Sequence, residues 1–261
     1  MSHRARFGSS LLLLLLTVST AHAGDELYLR WDNCIGDGGV YNRTFACDTN
    51  LGVETLVGSF RLAQTVVGVN EIQGTLEIAS IDPFSLPLWW QIGTGLCRPA
   101  NTISASFIPP GTSTNCLNGW AGNALGGWVY QILDPRYARI RVGAAVVTDY
   151  AFDVPAGQET YAFTISIKHT GTIGLGSCAG CSTPACIAWG QAVLHQVPNY
   201  LPTILGSATP GNGSNVTWQP GAVATTYGSC PPNRPCDSYV TCQSATPARG
   251  STWGSIKSLY R

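Results

Sequence analysis

The residues best equipped for chemistry are ten cysteines: Cys34, Cys47, Cys97, Cys116, Cys178, Cys181, Cys186, Cys230, Cys236 and Cys242. Thiols pair, ligate a metal or exchange electrons, and the compartment decides which. All ten lie downstream of residues 1–23. That stretch has Arg4 and Arg6 at its start, an apolar Leu11–Leu16 centre and the small-residue site Ala21-His22-Ala23. This is the pattern of a secretion signal. Export brings an even number of thiols into an oxidising compartment, so structural disulfides are expected. If Cys34 pairs with Cys47 and Cys97 with Cys116, two triplets remain. Parity then requires a bridge from Cys178, Cys181 or Cys186 to Cys230, Cys236 or Cys242. The spacing leaves connectivity otherwise open.

Other chemistries are weaker on the same residues. Cys178-x-x-Cys181 as a redox motif needs a strand–helix context that lowers a thiol pKa. A zinc site from Cys178, Cys181, Cys186 and His195 would leave an odd number of cysteines. His169 and His195 are the histidines beyond the signal. A nucleophile triad would need one of them beside a serine and an acid, and no Gly-x-Ser-x-Gly elbow is present. His169 fits better at a strand end. Glu54, Glu71, Glu77 and Glu159 are too scattered to read as a glycosidase pair. No catalytic residue is assigned. Asp32, Asp37 and Asp48, with Asn33, Asn42 and Asn50, crowd the Cys34–Cys47 stretch. Hard oxygen ligands there could hold Ca²⁺, although turn formation explains Asp37-Gly38-Gly39 as well. Trp89, Trp90 and Trp120 are the candidates for stacking on sugar rings, against the alternative of core packing.

The elements that must carry these residues have a period of two. Ala138, Ile140 and Val142 alternate with Arg139 and Arg141, and Tyr161, Phe163, Ile165 and Ile167 with Ala162, Thr164, Ser166 and Lys168. Both are half-buried strands. Weaker strand patterns run over Leu27–Trp31, Glu54–Leu62, Val66–Ile72, Thr75–Ala79, Leu88–Ile92, Thr102–Phe107, Gly127–Ile132, Ile187–His195 and Val216–Gln219. Thirty glycines and sixteen prolines punctuate them. The expected fold is all-β: a disulfide-stapled antiparallel β-sandwich, jelly-roll or immunoglobulin-like, over residues 24–219. Residues 220–250 read as a Cys/Pro-rich loop or linker within a Pro/Gly-rich tail. Residues 251–261 form a short C-terminal segment with Trp253, Ile256 and Tyr260 at helical spacing, a candidate sorting tag.

Charged residues make up 11% of the chain, 14 basic against 14 acidic. Without Arg4 and Arg6 the balance tips slightly acidic. That excludes a nucleic-acid footprint and a polybasic lipid patch. No second apolar run is long enough for a membrane helix, so the mature chain is expected without a transmembrane span.

Four blocks stand out together: Trp31-Asp32-Asn33-Cys34 through Phe45-Ala46-Cys47-Asp48-Thr49-Asn50, Leu86-Pro87-Leu88-Trp89-Trp90-Gln91, Cys178-Ala179-Gly180-Cys181-Ser182-Thr183-Pro184-Ala185-Cys186-Ile187, and Asn215-Val216-Thr217-Trp218-Gln219. With the terminal Thr252–Arg261 they give a chain that resembles a group of exported proteins from environmental bacteria with no assigned function. The resemblance implies secretion, a bacterial source and an all-β fold. It implies no site residue.

The functional expectation is an exported, non-enzymatic structural or adhesion-type protein. It would be secreted or at the cell surface, with the periplasm as the alternative, and its partner a cell surface, a second copy or a glycan. A carbohydrate- or ligand-binding module comes second and a secreted hydrolase third. No cofactor is expected beyond the calcium candidate.

Overall fold

A computed structural model describes residues 24–111, 114–198, 202–206, 213–226 and 240–245. The strands are β1 Glu26–Trp31, β2 Asn42–Arg43, β3 Val53–Arg61, β4 Val66–Ser80, β5 Ile103–Ser106, β6 Leu125–Asp134, β7 Tyr137–Ala145, β8 Phe152–Val154, β9 Thr160–Lys168, β10 Ala185–Gln196, β11 Thr203–Gly206, β12 Asn215–Trp218, β13 Ala222–Thr226 and β14 Thr241–Ser244. Helix among the described residues is confined to single 3-10 turns. The chain is an all-β antiparallel sandwich. One sheet has the order β1-β3-β9-β5; the larger runs β2-β12-β10-β4-β7-β6, with β11 added to β10 and β8 to β4. A hairpin-like pair, β13-β14, forms a third, small layer. The short β12–β2 pairing is parallel; the other ladders are antiparallel.

Alternation decides which side chains fill the space between the two sheets. Leu27, Leu29 and Trp31 of β1, Leu56 and Phe60 of β3, and Phe163, Ile165 and Ile167 of β9 face Ile72, Leu76 and Ile78 of β4, Ile140 and Val142 of β7, and Ile187 and Trp189 of β10. All are buried. Their opposite-parity neighbours on β4, β7 and β10 form the outer face of the larger sheet.

Three expectations needed correction. Val66–Ile72 and Thr75–Ala79 are one strand of 15 residues, not two. Gly74 is not a break: a Cβ there would meet Val142, Trp189 and Phe163 at 3.0 to 3.2 Å, so it is a packing position under large side chains. Leu88–Ile92 is not a strand, because Leu88–Trp90 forms a 3-10 turn that sends both tryptophans into the core. The stretch read as a loop over 220–250 supplies β13 and β14. They hold because Ala222, Ala224, Val240 and Cys242 bury against Ala79, Cys186 and Ala188 on the outer face of β4 and β10. Under that layer Glu77 binds Arg139 at 2.5 Å and accepts the Val240 N–H at 3.0 Å. The segment 251–261 lies outside the described residues.

The disulfides among the described residues are Cys34–Cys116, Cys47–Cys181, Cys97–Cys178 and Cys186–Cys242. The bridge between the two triplets is Cys186–Cys242, and it staples β14 to β10. The local pairs Cys34–Cys47 and Cys97–Cys116 do not form. The connections from distant strands converge at the sandwich ends, so each of these cysteines meets a partner at least 81 residues away. Closing loops of 56 to 134 residues stabilises each by roughly 4–5 kcal/mol in the chain-entropy picture, more than short local loops would. Cys230 and Cys236 lie outside the described residues.

Candidate functional site

Part of the larger sheet's outer face is covered by β13 and β14. Among the described residues nothing covers the part toward the other end, and registration sets its composition rung by rung. Leu125, Ala145, Glu71 and His195 stand side by side across β6, β7, β4 and β10. The next outward rung is Gly127, Gly143, Gln73 and Val193, and the third is Val129, Arg141, Thr75 and Gln191. Paired residues share a face, so all twelve point outward. The middle rung has two glycines in adjacent strands, which lowers the floor to bare backbone. The result is an open trough of about 620 Å³, lined by residues of all three rungs. Leu125 and Val129 form one apolar bank at 82% and 51% exposure. Glu71, Gln73 and Arg141 form a polar side, where the Gln73 amide donates to Glu71 Oε1 at 2.7 Å.

This face brings together two residues that sequence reasoning kept apart, Glu71 and His195. It does not bring in His169. That side chain is buried, with Nε2 2.7 Å from Glu54 Oε1. Glu54 in turn faces Arg43 at 3.9 Å, and Arg43 binds Asp32. The chain of charges leads from the surface to the ring of Trp218, 6.1 Å from the imidazole. His169 therefore sits at the strand end, as its position after Lys168 indicates, in a structural network.

The remaining candidates disperse. Trp89, Trp90 and Trp120 are buried and present no ring to a sugar. Trp89 and Trp90 pack edge-on at 4.9 Å, and Trp120 donates to the Ala162 carbonyl at 2.9 Å. The 3-10 turn, not a strand's alternation, directs both adjacent tryptophans inward. Asp32 is engaged with Arg43, Asp37 Oδ1 accepts from the Thr114 and Asn115 backbone at 3.2 and 3.0 Å, and Asp48 is exposed. The three aspartates do not converge. Cys178 and Cys181 bond to different partners, which dismantles both the redox pair and the zinc set. Cys34, Cys116 and Glu159 lie close enough for a metal, but the two sulfurs are joined to each other and offer no thiolate. Glu159 is spent on the Ile35 and Gly36 N–H groups, at 2.9 and 2.8 Å, and on the Ser59 hydroxyl at 2.5 Å.

Arg98, over the Trp89 ring, and Tyr130, bonded to the Trp90 carbonyl, dominate the buried electrostatics near Trp89. Arg98 is fully buried; burial lowers its pKa to about 10. Burial pushes the phenols of Tyr130 and Tyr161 well above their usual range. The alkaline response follows. Above about pH 10 the unfolded chain ionises both tyrosines while the folded chain keeps them protonated, so each removes about 1.4 kcal/mol of stability per pH unit. Arg98 acts in the opposite sense over the same window, since there the unfolded chain holds its proton more tightly. Burial raises Tyr28 as well, so the tyrosines outweigh Arg98 and the net effect is a loss of stability as pH rises above about 10. Urea midpoints at about pH 9 and about pH 11 should show this loss; a flat or rising midpoint would refute it.

Among the described residues no helix is long and apolar enough to cross a membrane. The disulfides fit an extracellular protein. No family model matches the chain, and no curated protein matches it. A solved structure with some likeness is a type II cohesin domain from the cellulosome of Acetivibrio cellulolyticus. It is 9% identical, with 70% of this chain and 95% of that chain covered and a TM-score of 0.27. A score that low carries no weight for function.

Proposed function

We propose that the chain is an exported, non-enzymatic adhesion or binding module of the bacterial cell exterior, and that it engages its partner through the bare face of β4, β6 and β7. The observation that carries this reading is the trough itself. Its two-glycine floor admits a ridge of a partner, its apolar bank supplies desolvation, and Glu71, Gln73 and Arg141 supply orientation. The buried acids, His169 and the disulfides are committed to holding the sandwich together, which supports a rigid display scaffold. A glycan-binding reading loses the tryptophans on which it rested. Residues 251–261 fit the same reading as a tag for surface retention.

Gly143→Gln tests the face. A Cβ at Gly143 meets nothing closer than 3.7 Å, so the substitution is accommodated while its side chain fills the trough. Labelled chain is applied to whole cells of the producing bacterium, with and without residues 251–261. Retention is expected to fall at least about tenfold in Gly143→Gln at unchanged thermal stability, a cost of about 1.4 kcal/mol. Retention that survives Gly143→Gln, or specific binding on a glycan array that ignores it, would overturn the face assignment. Retention that ignores the terminal deletion would remove the tag.

A further inference from the structure

The larger sheet ends on β6, and this edge is unlike a protected one. Natural edges are blunted with Lys, Pro, bulges or a covering element; in β6 the register irregularity against β7 falls only at the far end, between Ile132 and Asp134, and leaves Leu125–Ile132 regular. Strand β6 is 10 residues long, reads Leu-Gly-Gly-Trp-Val-Tyr-Gln-Ile-Leu-Asp, and carries no charge before Asp134. Its described backbone ladder is to β7 alone, and Leu125, Val129 and Leu133 are exposed at 82%, 51% and 44%. From this edge we infer that the chain forms a homodimer by antiparallel pairing of β6 with β6 of a second copy. The inference concerns the edge; Leu125 and Val129 also bank the trough proposed above, so its test reads self-association of the purified chain and not retention by a partner.

The occupant is a second copy because the strand is complementary to itself. A two-fold axis at Val129 sets Leu125 opposite Leu133, Gly127 opposite Gln131 and Val129 opposite Val129. On the inner side Trp128 meets Tyr130 and Gly126 meets Ile132. Apolar groups oppose apolar groups, an aromatic opposes an aromatic, and the long Gln131 side chain stands over a glycine, with no like charges facing each other. The pairing satisfies the free N–H and C=O groups of both edges, and the two larger sheets become one. A pair of 10-residue strands buries less than the roughly 1,200–2,000 Å² of a standard stable interface. The dimer is therefore expected in the micromolar range.

The test uses the full oxidised chain. Sedimentation equilibrium from about 1 to about 100 μM should show a monomer rising to a dimer and no further. Val129→Lys sets two ammonium groups face to face at the axis on an already exposed position, and should weaken association at least about tenfold. A short thiol cross-linker supplies an independent readout. It should join copies of Val129→Cys. It should fail for Leu133→Cys, whose copies would stand roughly 26 Å apart, eight residues along the paired strands. A monomer at every concentration, open-ended aggregation, a dimer that Val129→Lys leaves intact, or equal cross-linking of both cysteine variants would each overturn the proposal. The first of these would leave the edge to a strand of another protein.

Discussion

Replacing Arg98 by methionine is expected to destabilise the chain by about 3–5 kcal/mol, although methionine fills much of the same space. Arg98 is fully buried and lies over the Trp89 ring at 3.7 Å. Its guanidinium donates to the Thr170 carbonyl at 2.9 Å, to the Trp89 carbonyl at 3.0 Å and to the Lys168 carbonyl. Those carbonyls belong to the last residue of β9, which pairs with Val53 of β3, to the turn after it and to the 3-10 turn. The fork of donors ties these three segments together. Methionine keeps the stacking volume but leaves the buried Trp89 carbonyl without its donor, at about 1–3 kcal/mol, and breaks the part-buried bonds to the Thr170 and Lys168 carbonyls, offset in part by removal of a desolvated charge. Lysine cannot form the fork and should recover only part of the loss. Urea unfolding with the disulfides intact measures this; a loss below about 1 kcal/mol would show that the carbonyls find other donors.

Trp218→Ala is expected to cost about 3–5 kcal/mol, the range for deleting a large aromatic from a packed core. Trp218 closes β12 and is the hub of the aromatic cluster. It stacks on Phe45 at 4.1 Å, tilts against Trp89 at 4.5 Å, and meets Trp90 and Trp31 edge-on at 5.4 and 6.0 Å. Its indole N–H donates to the Cys181 carbonyl at 2.8 Å, beside the Cys47–Cys181 bridge. The cavity cannot collapse, because β1, β12 and the Cys181 turn are each fixed by pairing or by a disulfide. Trp218→Phe retains a ring but not the donor and should cost roughly half as much. Unfolding midpoints together with the near-ultraviolet dichroism of the cluster check both. An alanine variant with an unchanged aromatic signature would contradict the hub role.

Strand positions were legible wherever apolar and polar residues alternate. Tyr137–Ala145 and Thr160–Lys168 carry that alternation openly, and both are strands, although Thr160–Ile165 is buried on both faces and not half-buried as its pattern suggested. Local reading failed where a neighbour decided the outcome. Gly74 looks like punctuation until Trp189 and Phe163 are placed over it. Trp89 and Trp90 look like a strand with one exposed ring until the Arg98 fork and the 3-10 turn bury both. Residues 222–226 and 241–244 have no period of their own because β13 and β14 gain their stability from the sheet beneath them and from Cys186–Cys242. Parity pointed to a bridge between the cysteine triplets, but the assumption that neighbouring cysteines pair was wrong. Proximity in sequence does not report which loops meet at the end of a sandwich.

By itself the sequence determined the all-β architecture, the burial of alternating apolar residues and the presence of a disulfide framework, because period, composition and thiol count are local quantities. The tertiary structure alone decided which cysteines join, that the tryptophans form a core instead of a binding platform, and that Gly127 and Gly143 meet as one floor between Glu71 and Val129. These depend on strand order and register, which arise when segments as far as 186 residues apart compete to bury the same surface, and no window of sequence contains that competition.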